Sequence, residues 1–236
     1  MPYRRIVLKL SGEALKGSTN YGIDPLTIKA VAKDIKEIYD LGIEIIIIVG
    51  AGNIWRGVTA SKLGMDRSQA DYMGMIGTIL NGLALQDGLE GLNIPTRVLS
   101  AINVNQVCEP YIRRKALSHL SKKRVIIIVG GTGNPYFSTD SAATLRASEL
   151  DADLILMAKN GVDGVYDRDP RINKDAKLLK EVSYQEILEK KIEIMDMTAV
   201  SMAKDNHLVI KVFSMNKQGL IKKALLDDKV GTLIKE

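Results

Sequence analysis

Four stretches of this sequence combine residue types that handle anions: Lys9-Leu10-Ser11-Gly12, Gly50-Ala51-Gly52-Asn53 with Arg56 beyond it, Gly130-Gly131-Thr132-Gly133-Asn134 with Asp140 beyond it, and Lys159-Asn160-Gly161. Glycine lets the main chain approach a ligand closely, and successive N–H groups in such a turn make a cradle for phosphate. The same glycines also suit an ordinary tight strand-to-helix turn, so one loop decides little. Several loops at one sheet edge argue for an anion site. Lys9 interrupts an apolar run. It reads either as an exposed edge residue or as a cation aimed at a transferring phosphate, because phosphoryl transfer rests on positioning and charge neutralisation. Asp140 is either an acid placed favourably at a helix N-terminus or a carboxylate that holds lysine ammonium groups or magnesium. Asp71 reads as a surface carboxylate or as part of a site.

Neither common phosphate loop is present. Gly17 and Gly22 have the glycine spacing of a Walker loop, but Ile23 stands where lysine is required. The dinucleotide pattern G-x-G-x-x-G fails at Trp55 after Gly50 and Gly52, and at Tyr136 after Gly131 and Gly133. His119 and His207 have no partner at metal-ligand spacing, so no zinc site is expected.

The elements that must position these loops alternate. Apolar runs at Arg5–Leu10, Glu44–Val49, Thr96–Leu99, Arg124–Val129, Asp153–Met157, Val209–Phe213 and Gly231–Ile234 predict strands, several of them buried on both faces. Asp24 caps a helix opened by Pro25 and closed by Gly42, with Ile28, Val31, Ala32, Ile35, Ile38 and Tyr39 as its buried stripe. Further helices are expected over Pro110–Leu120, over Asp140–Glu149 with Thr139 as cap, from Ser183 to Leu188, from Thr198 to Asp205 and over Lys217–Leu226. Met73 to Leu85, broken by Thr78 and Asn81, reads as a buried helix. The alternation predicts an α/β fold with a largely parallel sheet in one domain spanning 1–236. In such a sheet ligands sit outside the carboxyl ends of the strands, where all four loops lie.

Composition narrows the class. A single cysteine, Cys108, excludes an internal disulfide and favours a reducing, cytoplasmic setting. No apolar stretch is long enough to span a bilayer, so no membrane role is expected. The net charge of +5 suits a small anionic substrate. Scattered basic residues and few aromatics make nucleic acid an unlikely primary partner.

Several motifs together carry a resemblance. Val7-Leu8-Lys9-Leu10-Ser11-Gly12-Glu13-Ala14-Leu15, Gly52-Asn53-Ile54-Trp55-Arg56-Gly57, Gly64-Met65-Asp66-Arg67 and Asp71-Tyr72-Met73-Gly74-Met75 occur in order. Thr132-Gly133-Asn134-Pro135-Tyr136-Phe137-Ser138-Thr139-Asp140 follows, then Val162-Asp163-Gly164-Val165-Tyr166, Asp169-Pro170, Met195-Asp196 and Phe213-Ser214-Met215-Asn216. Over essentially its whole length the chain resembles the bacterial UMP kinases (uridylate kinases) of the amino-acid-kinase superfamily. Ala51 departs from the pattern, standing where relatives often have glycine.

The resemblance implies a three-layer αβα sandwich of the amino-acid-kinase, carbamate-kinase-like type. It implies transfer of the ATP γ-phosphate to UMP with magnesium, in pyrimidine nucleotide biosynthesis. The N-terminal part would bind UMP and the C-terminal part the ATP base. Lys9, Leu10, Ser11 and Gly12 would line the ATP phosphates with Gly52 and Arg56, while Asn160, Tyr166 and Asp169 would contact the adenine nucleotide. Ala51, Asp71 and the segment Thr132, Gly133, Asn134, Pro135, Tyr136, Phe137, Ser138 and Thr139 would hold UMP. Catalysis would fall to Lys9, Asp140 and Asp196, with Lys159 as the second lysine. Gly17, Ser18, Thr19, Asn20, Tyr21 and Gly22 lie where the family places residues tied to GTP activation. UTP would inhibit, and the assembly would be a homohexamer. The glycines of the stretch Asp71–Leu92 would then serve close approach to the chain's own sheet or to a partner subunit.

Overall fold

The isoleucine- and valine-rich runs form the inner strands of one nine-stranded sheet in the computed structural model, which describes residues 3–170, 172–215 and 219–236. In chain order these strands are β1 (Arg5–Leu10), β2 (Glu44–Val49), β3 (Thr96–Ser100), β4 (Glu109–Pro110), β5 (Val125–Val129), β6 (Leu154–Lys159), β7 (Glu181–Ser183), β8 (Ile210–Ser214) and β9 (Thr232–Lys235). They lie side by side as β4-β3-β5-β2-β1-β6-β8-β9-β7. Neighbours run parallel from β4 across to β8; β9 turns back antiparallel to β8, and β7 runs parallel to β9. β1 is thus a central strand, which removes the reading of Lys9 as an edge residue. Lys9 is buried.

Alternation along the strands sorts side chains into two layers. Ile6, Leu8, Ile45, Ile47, Ile127 and Leu156 pack beneath α1 (Pro25–Tyr39), α3 (Arg67–Glu90) and α8 (Leu220–Leu226). Val7, Ile46, Ile48, Ile126, Ile128 and Ile155 pack against α4 (Arg113–Ser121), α5 (Thr139–Glu149), α6 (Tyr184–Glu189) and α7 (Met197–Asp205). This is the three-layer sandwich. A short helix, α2 (Gly57–Lys62), leads into α3. Burying each such isoleucine contributes about 1.5–3 kcal/mol relative to leaving it in water. Because Lys9 follows Val7 at a spacing of two, it points toward the α5 layer.

Several boundaries differ from the sequence reading. Pro110 belongs to β4, so α4 begins at Arg113. β6 continues two residues past Met157 and carries Lys159 within it. The cap of α5 is Ser138, whose Oγ accepts from the N–H groups of Asp140 and Ser141, and Thr139 is already helical. Asp196, not Thr198, caps α7 by accepting from the Ala199 N–H. Lys217, placed at the start of the last helix, lies outside the described residues; the described helix begins at Leu220.

The stretch Met73 to Leu85, read as a buried helix, is part of a 24-residue helix with one buried and one exposed face. Met75, Ile79, Leu85 and Leu89 are buried, whereas Tyr72, Met73, Ile76 and Leu80 are exposed. Of the two readings for its glycines, close approach to the chain's own core accounts for Gly77 and Gly82. A Cβ at Gly82 would lie 2.5 Å from Val129 Cγ1 of the sheet, and one at Gly77 would lie 2.9 Å from the Ala51 Cβ. Among the described residues, no helix is long and apolar enough to cross a membrane.

Candidate active site

Two lysines from adjacent parallel strands converge on one carboxylate. Lys9 of β1 stands beside Met157 in register, and Lys159 lies two residues farther along β6 on the same face. Asp140 enters from the first turn of α5, fixed there by the Ser138 cap at 3.0 and 3.2 Å. Lys9 Nζ forms an ion pair with Asp140 Oδ1 at 2.5 Å. Lys159 Nζ donates to Asp140 Oδ2 at 2.8 Å.

Burial would by itself raise the Asp140 carboxyl. The charges of Lys9 and Lys159 outweigh it and hold the group at about 2. Burial pushes the Lys159 ammonium down from its usual range, and Lys9 adds to this against the pull of Asp140. Two ammonium groups on one carboxylate leave surplus positive charge in a water-poor corner of the sheet. An arriving phosphoryl oxygen is what such a centre stabilises.

Asp196 stands one step behind. It accepts from Ser141 Oγ at 2.9 Å, from the Ala199 N–H at 3.0 Å and from Ser138 Oγ. It therefore ties the start of α5 to the start of α7, and its charge also reaches Lys159.

The glycine loops surround this centre. A Cβ at Gly12 would fall 2.5 Å from Asn53 Oδ1, 2.7 Å from Gly50 O and 2.8 Å from Gly52 N, so the first two loops touch only because Gly12 has no side chain. Ala51 is buried against α3. Arg56 is exposed and paired with Glu13 at 2.6 Å, and Glu13 also holds Lys16 at 2.7 Å. Glu13 was not singled out as a site residue; its signal was an acid directly after Gly12.

A small cavity of about 140 Å³ opens beside them, lined in part by Ala51, Trp55, Asp71, Gly131, Phe137 and Thr139. Asp71 Oδ2 accepts from Arg67 Nε and from the Tyr136 N–H, both at 2.8 Å. Tyr136 sits at φ 71°, a left-handed backbone that a side chain of this size seldom adopts. The bond to Asp71 helps hold it there. Thr132, Gly133, Asn134 and Pro135 form the turn leading to it, with Thr132 Oγ1 bonded to both the N–H and the carbonyl of Asn134. Ser138 completes the segment as the α5 cap.

Across β6 a larger cavity of about 600 Å³ is lined by Lys159, Asn160, Tyr166 and Asp169 among others. It gathers all three residues expected at the adenine nucleotide. The turn Gly17–Gly22 lies apart from the charged centre. It is joined to the second loop by Asn53, whose Nδ2 donates to Gly22 O and whose carbonyl accepts from the Gly22 N–H, both at 2.7 Å. Leu10 ends β1, and Ser11 joins it to Gly12. His119 sits between Glu109 and Arg124, and His207 pairs with Glu236. No cluster of three metal-ligating side chains occurs among the described residues.

Two polar residues of α3 escaped the sequence reading as site elements. Thr78 Oγ1 accepts from the Gly130 N–H at 2.8 Å, and Asn81 Nδ2 donates to Gly50 O at 2.7 Å. Their signal was the interruption of an apolar stretch.

Comparison with known proteins shows the family. The sequence pattern of the amino acid kinase family matches residues 4–214. A uridylate kinase of Onion yellows phytoplasma is 58% identical over 233 residues, covering 98% of this chain and 97% of the relative. A uridylate kinase of Limosilactobacillus reuteri is 54% identical over 232 residues, with the same coverage. The crystal structure of UMP kinase from Bacillus anthracis superposes with a TM-score of 0.95 at 41% identity, covering 100% of this chain and 97% of that one. That of UMP kinase from Ureaplasma parvum gives 0.93 at 40% identity, covering both chains fully.

Proposed function

The chain belongs to the amino acid kinase family, and we infer that it is an ATP-dependent UMP kinase, yielding UDP and ADP in pyrimidine nucleotide synthesis. The observation that carries the chemistry is the Lys9–Asp140–Lys159 cluster at the carboxyl edge of β1 and β6. A phosphate oxygen of UMP attacks the γ-phosphorus of ATP. A new P–O bond forms as the bond to the β,γ-bridging oxygen breaks, and that oxygen leaves on ADP. A phosphate monoester has its second pKa near 6, so the attacking oxygen is largely unprotonated at neutral pH and needs no general base. Asp140 stays ionised and does not serve as one. Its role is to hold two ammonium groups, which otherwise repel, on the side where the transferring oxygens gather charge.

In this reading UMP occupies the small cavity, with its ribose hydroxyls donating to Asp71 and its base against the Thr132–Thr139 segment. ATP lays its phosphates along Lys9, Ser11, Gly12 and Gly52, with Arg56 beside them, and its base in the cavity with Asn160, Tyr166 and Asp169. The oxygens of Asp140 and Asp196 are committed to lysines, serines and a backbone N–H. The residues present therefore fit magnesium that arrives on the nucleotide phosphates and keeps much of its water, as magnesium commonly does. A cytoplasmic location and control by GTP and UTP belong to the same reading.

A coupled assay across UMP, CMP, dTMP, glutamate, acetylglutamate and carbamate tests the assignment. UMP should accelerate ADP formation; stimulation by glutamate or acetylglutamate with none by UMP overturns it. The exposed Tyr72, Met73, Ile76 and Leu80 on α3 support the homohexamer. Light scattering at micromolar protein should give that assembly, and a mass near the 25.9 kDa monomer refutes it.

A further inference from the structure

α3 does more than cover the sheet. Asp71, Thr78 and Asn81 are spaced by seven and three residues, which places them along one stripe of the helix. Each reaches a different point on the loops around the charged centre. Asp71 accepts from the Tyr136 N–H, Thr78 accepts from the Gly130 N–H, and Asn81 donates to Gly50 O. Asn81 has no solvent exposure and Thr78 almost none.

The Asn81 amide is fully used. Its Nδ2 donates to Gly50 O at 2.7 Å and to Asn53 Oδ1 at 2.8 Å, and its Oδ1 accepts from Asn53 Nδ2 at 3.0 Å. Asn53 spends its second N–H on Gly22 O. The carbonyls of Gly50 and Gly22 both require donors, which fixes the orientation of the two amides. Thr78 Oγ1 is likewise saturated, donating to Met75 O at 2.6 Å. A buried amide in a helix core is unfavourable unless every group is paired. Every pairing of the Asn81 amide is with the Gly50–Asn53 loop, which the proposed nucleotide site uses.

We propose that Asn81 and Thr78 are positioning residues for phosphoryl transfer, acting on the loops Gly50–Asn53 and Gly130–Thr139 through their backbone. The proposal rests on the placement of those loops at the nucleotides given above. Asn81 sets the loop that abuts Gly12, between the ATP phosphates and the acceptor. Thr78 sets the root of the loop that holds UMP. Removing the first brace should therefore slow the chemical step, and removing the second should weaken UMP.

The test compares Asn81→Leu, Thr78→Val and, as a direct disturbance of the same loop, Gly12→Ala. Turnover is measured at 25 °C with both nucleotides varied. UMP binding is read separately from the fluorescence of Trp55, the single tryptophan, which lines the small cavity. Asn81→Leu should lower kcat on the order of 10- to 100-fold, since small misplacements set far from the chemistry cost that much. Thr78→Val should raise the KM and Kd for UMP with kcat less affected. Folded variants with lowered melting temperatures but unchanged kcat and KM would make both residues packing elements only and overturn the proposal. If Gly12→Ala abolishes turnover while Asn81→Leu leaves kcat unchanged, the proposal fails and the site stands. If all three variants turn over normally, the loop placement itself is wrong. Should Asn81→Leu not fold, Asn81→Ser, whose hydroxyl can keep one of the two donated bonds, carries the same comparison.

Discussion

The loops that follow β1, β2 and β5 are fastened to α3 or to one another by side-chain-to-backbone bonds, from Asn53 and Asn81 to Thr78 and Asp71, those of Asn81 and Thr78 being buried. From Asn160 to Lys180, after β6, the chain is built differently. The Leu179 N–H donates to Val165 O, the Asp167 N–H to Lys177 O and the Lys177 N–H to Asp167 Oδ1. These bonds tie the described residues of this stretch to one another, Thr232 anchors them to the sheet, and with residues 190–194 they wall the larger cavity. The contrast matches what each side must do. Phosphate oxygens in transfer tolerate little displacement, whereas a base held away from the reacting atoms tolerates more. Precision is built into the first half of the sheet, and breadth into the loop beyond it.

The largest test falls on the boundary between these regions. Lys9 belongs to the braced side, with a side chain 8% exposed, and Lys159 faces the larger cavity at 19%. Lys9→Ala should lower kcat by about 10²- to 10³-fold, the range seen when a preorganised charge donor is removed. Lys159→Ala should cost less. Single-turnover rates on folded proteins decide the order. Equal losses would erase the asymmetry, and near-normal turnover of Lys9→Ala would remove that lysine from the chemistry.

That ranking could be drawn up partly from sequence. The apolar run that Lys9 interrupts already marked the lysine as a candidate, though an edge position remained open, and the four loops already followed strands. Other features left no local trace. β4 and β7 are two and three residues long, too short for any periodicity. Ser138, Thr139 and Asp140 are all able to cap a helix, as are Asp196 and Thr198, and only the geometry selects among them. Lys159 fell outside its strand because Ala158 and Lys159 look like a loop opening, while pairing with Phe213 and Ser214 of β8 keeps them in the sheet. Thr78 and Asn81 were visible only as polar breaks. The groups they bind lie far away in sequence, on loops whose approach to α3 depends on the order of the strands.

A smaller effect separates the regions by pH. The Asp140 carboxyl lies at about 2, below its ordinary 3.8. A carboxylate depressed on folding contributes stability that is fully present above its unfolded value and is lost as pH falls through the folded one. At roughly 1.4 kcal/mol per unit, this arm amounts to about 2 kcal/mol between pH 4 and pH 2. Asp140→Asn should flatten that arm. It should also cost about 3–5 kcal/mol at neutral pH, because two buried ammonium groups lose their partner. Asp167 is depressed too, chiefly by the Lys177 N–H and then by nearby cations, but it lies on the exposed loop. Asp167→Asn should leave the acid arm in place. Urea midpoints between pH 2 and pH 7 check this, and an arm that vanished with Asp167 would assign the acid sensitivity to the wrong half.

The finest distinction concerns one methyl group. Ala51 stands where relatives often have glycine, and its Cβ fills the space left by Gly77 on α3. Gly77→Ala would set two carbons 2.9 Å apart, well inside the 3.5–4.0 Å at which such atoms attract. The helix itself would gain about 1 kcal/mol from losing a glycine. Overpacking, at about 1–3 kcal/mol, opposes this gain and should push the Gly50–Asn53 loop toward Gly12. The variant should therefore lose little stability but show a raised KM for a nucleotide. Ala51→Gly alone should leave a methyl-sized gap, costing about 1 kcal/mol. In the double variant Ala51→Gly with Gly77→Ala, the methyl moves from loop to helix. The clash disappears, the helix keeps its gain, and KM should return to that of the parent. The double-mutant cycle should show a coupling of about 1–3 kcal/mol, as neighbours in contact do. Additive effects would mean that the loop yields freely and that α3 does not set its position. A comparable coupling is not expected at the larger cavity, where Asp167 of the wall bonds with Lys177 of the same stretch.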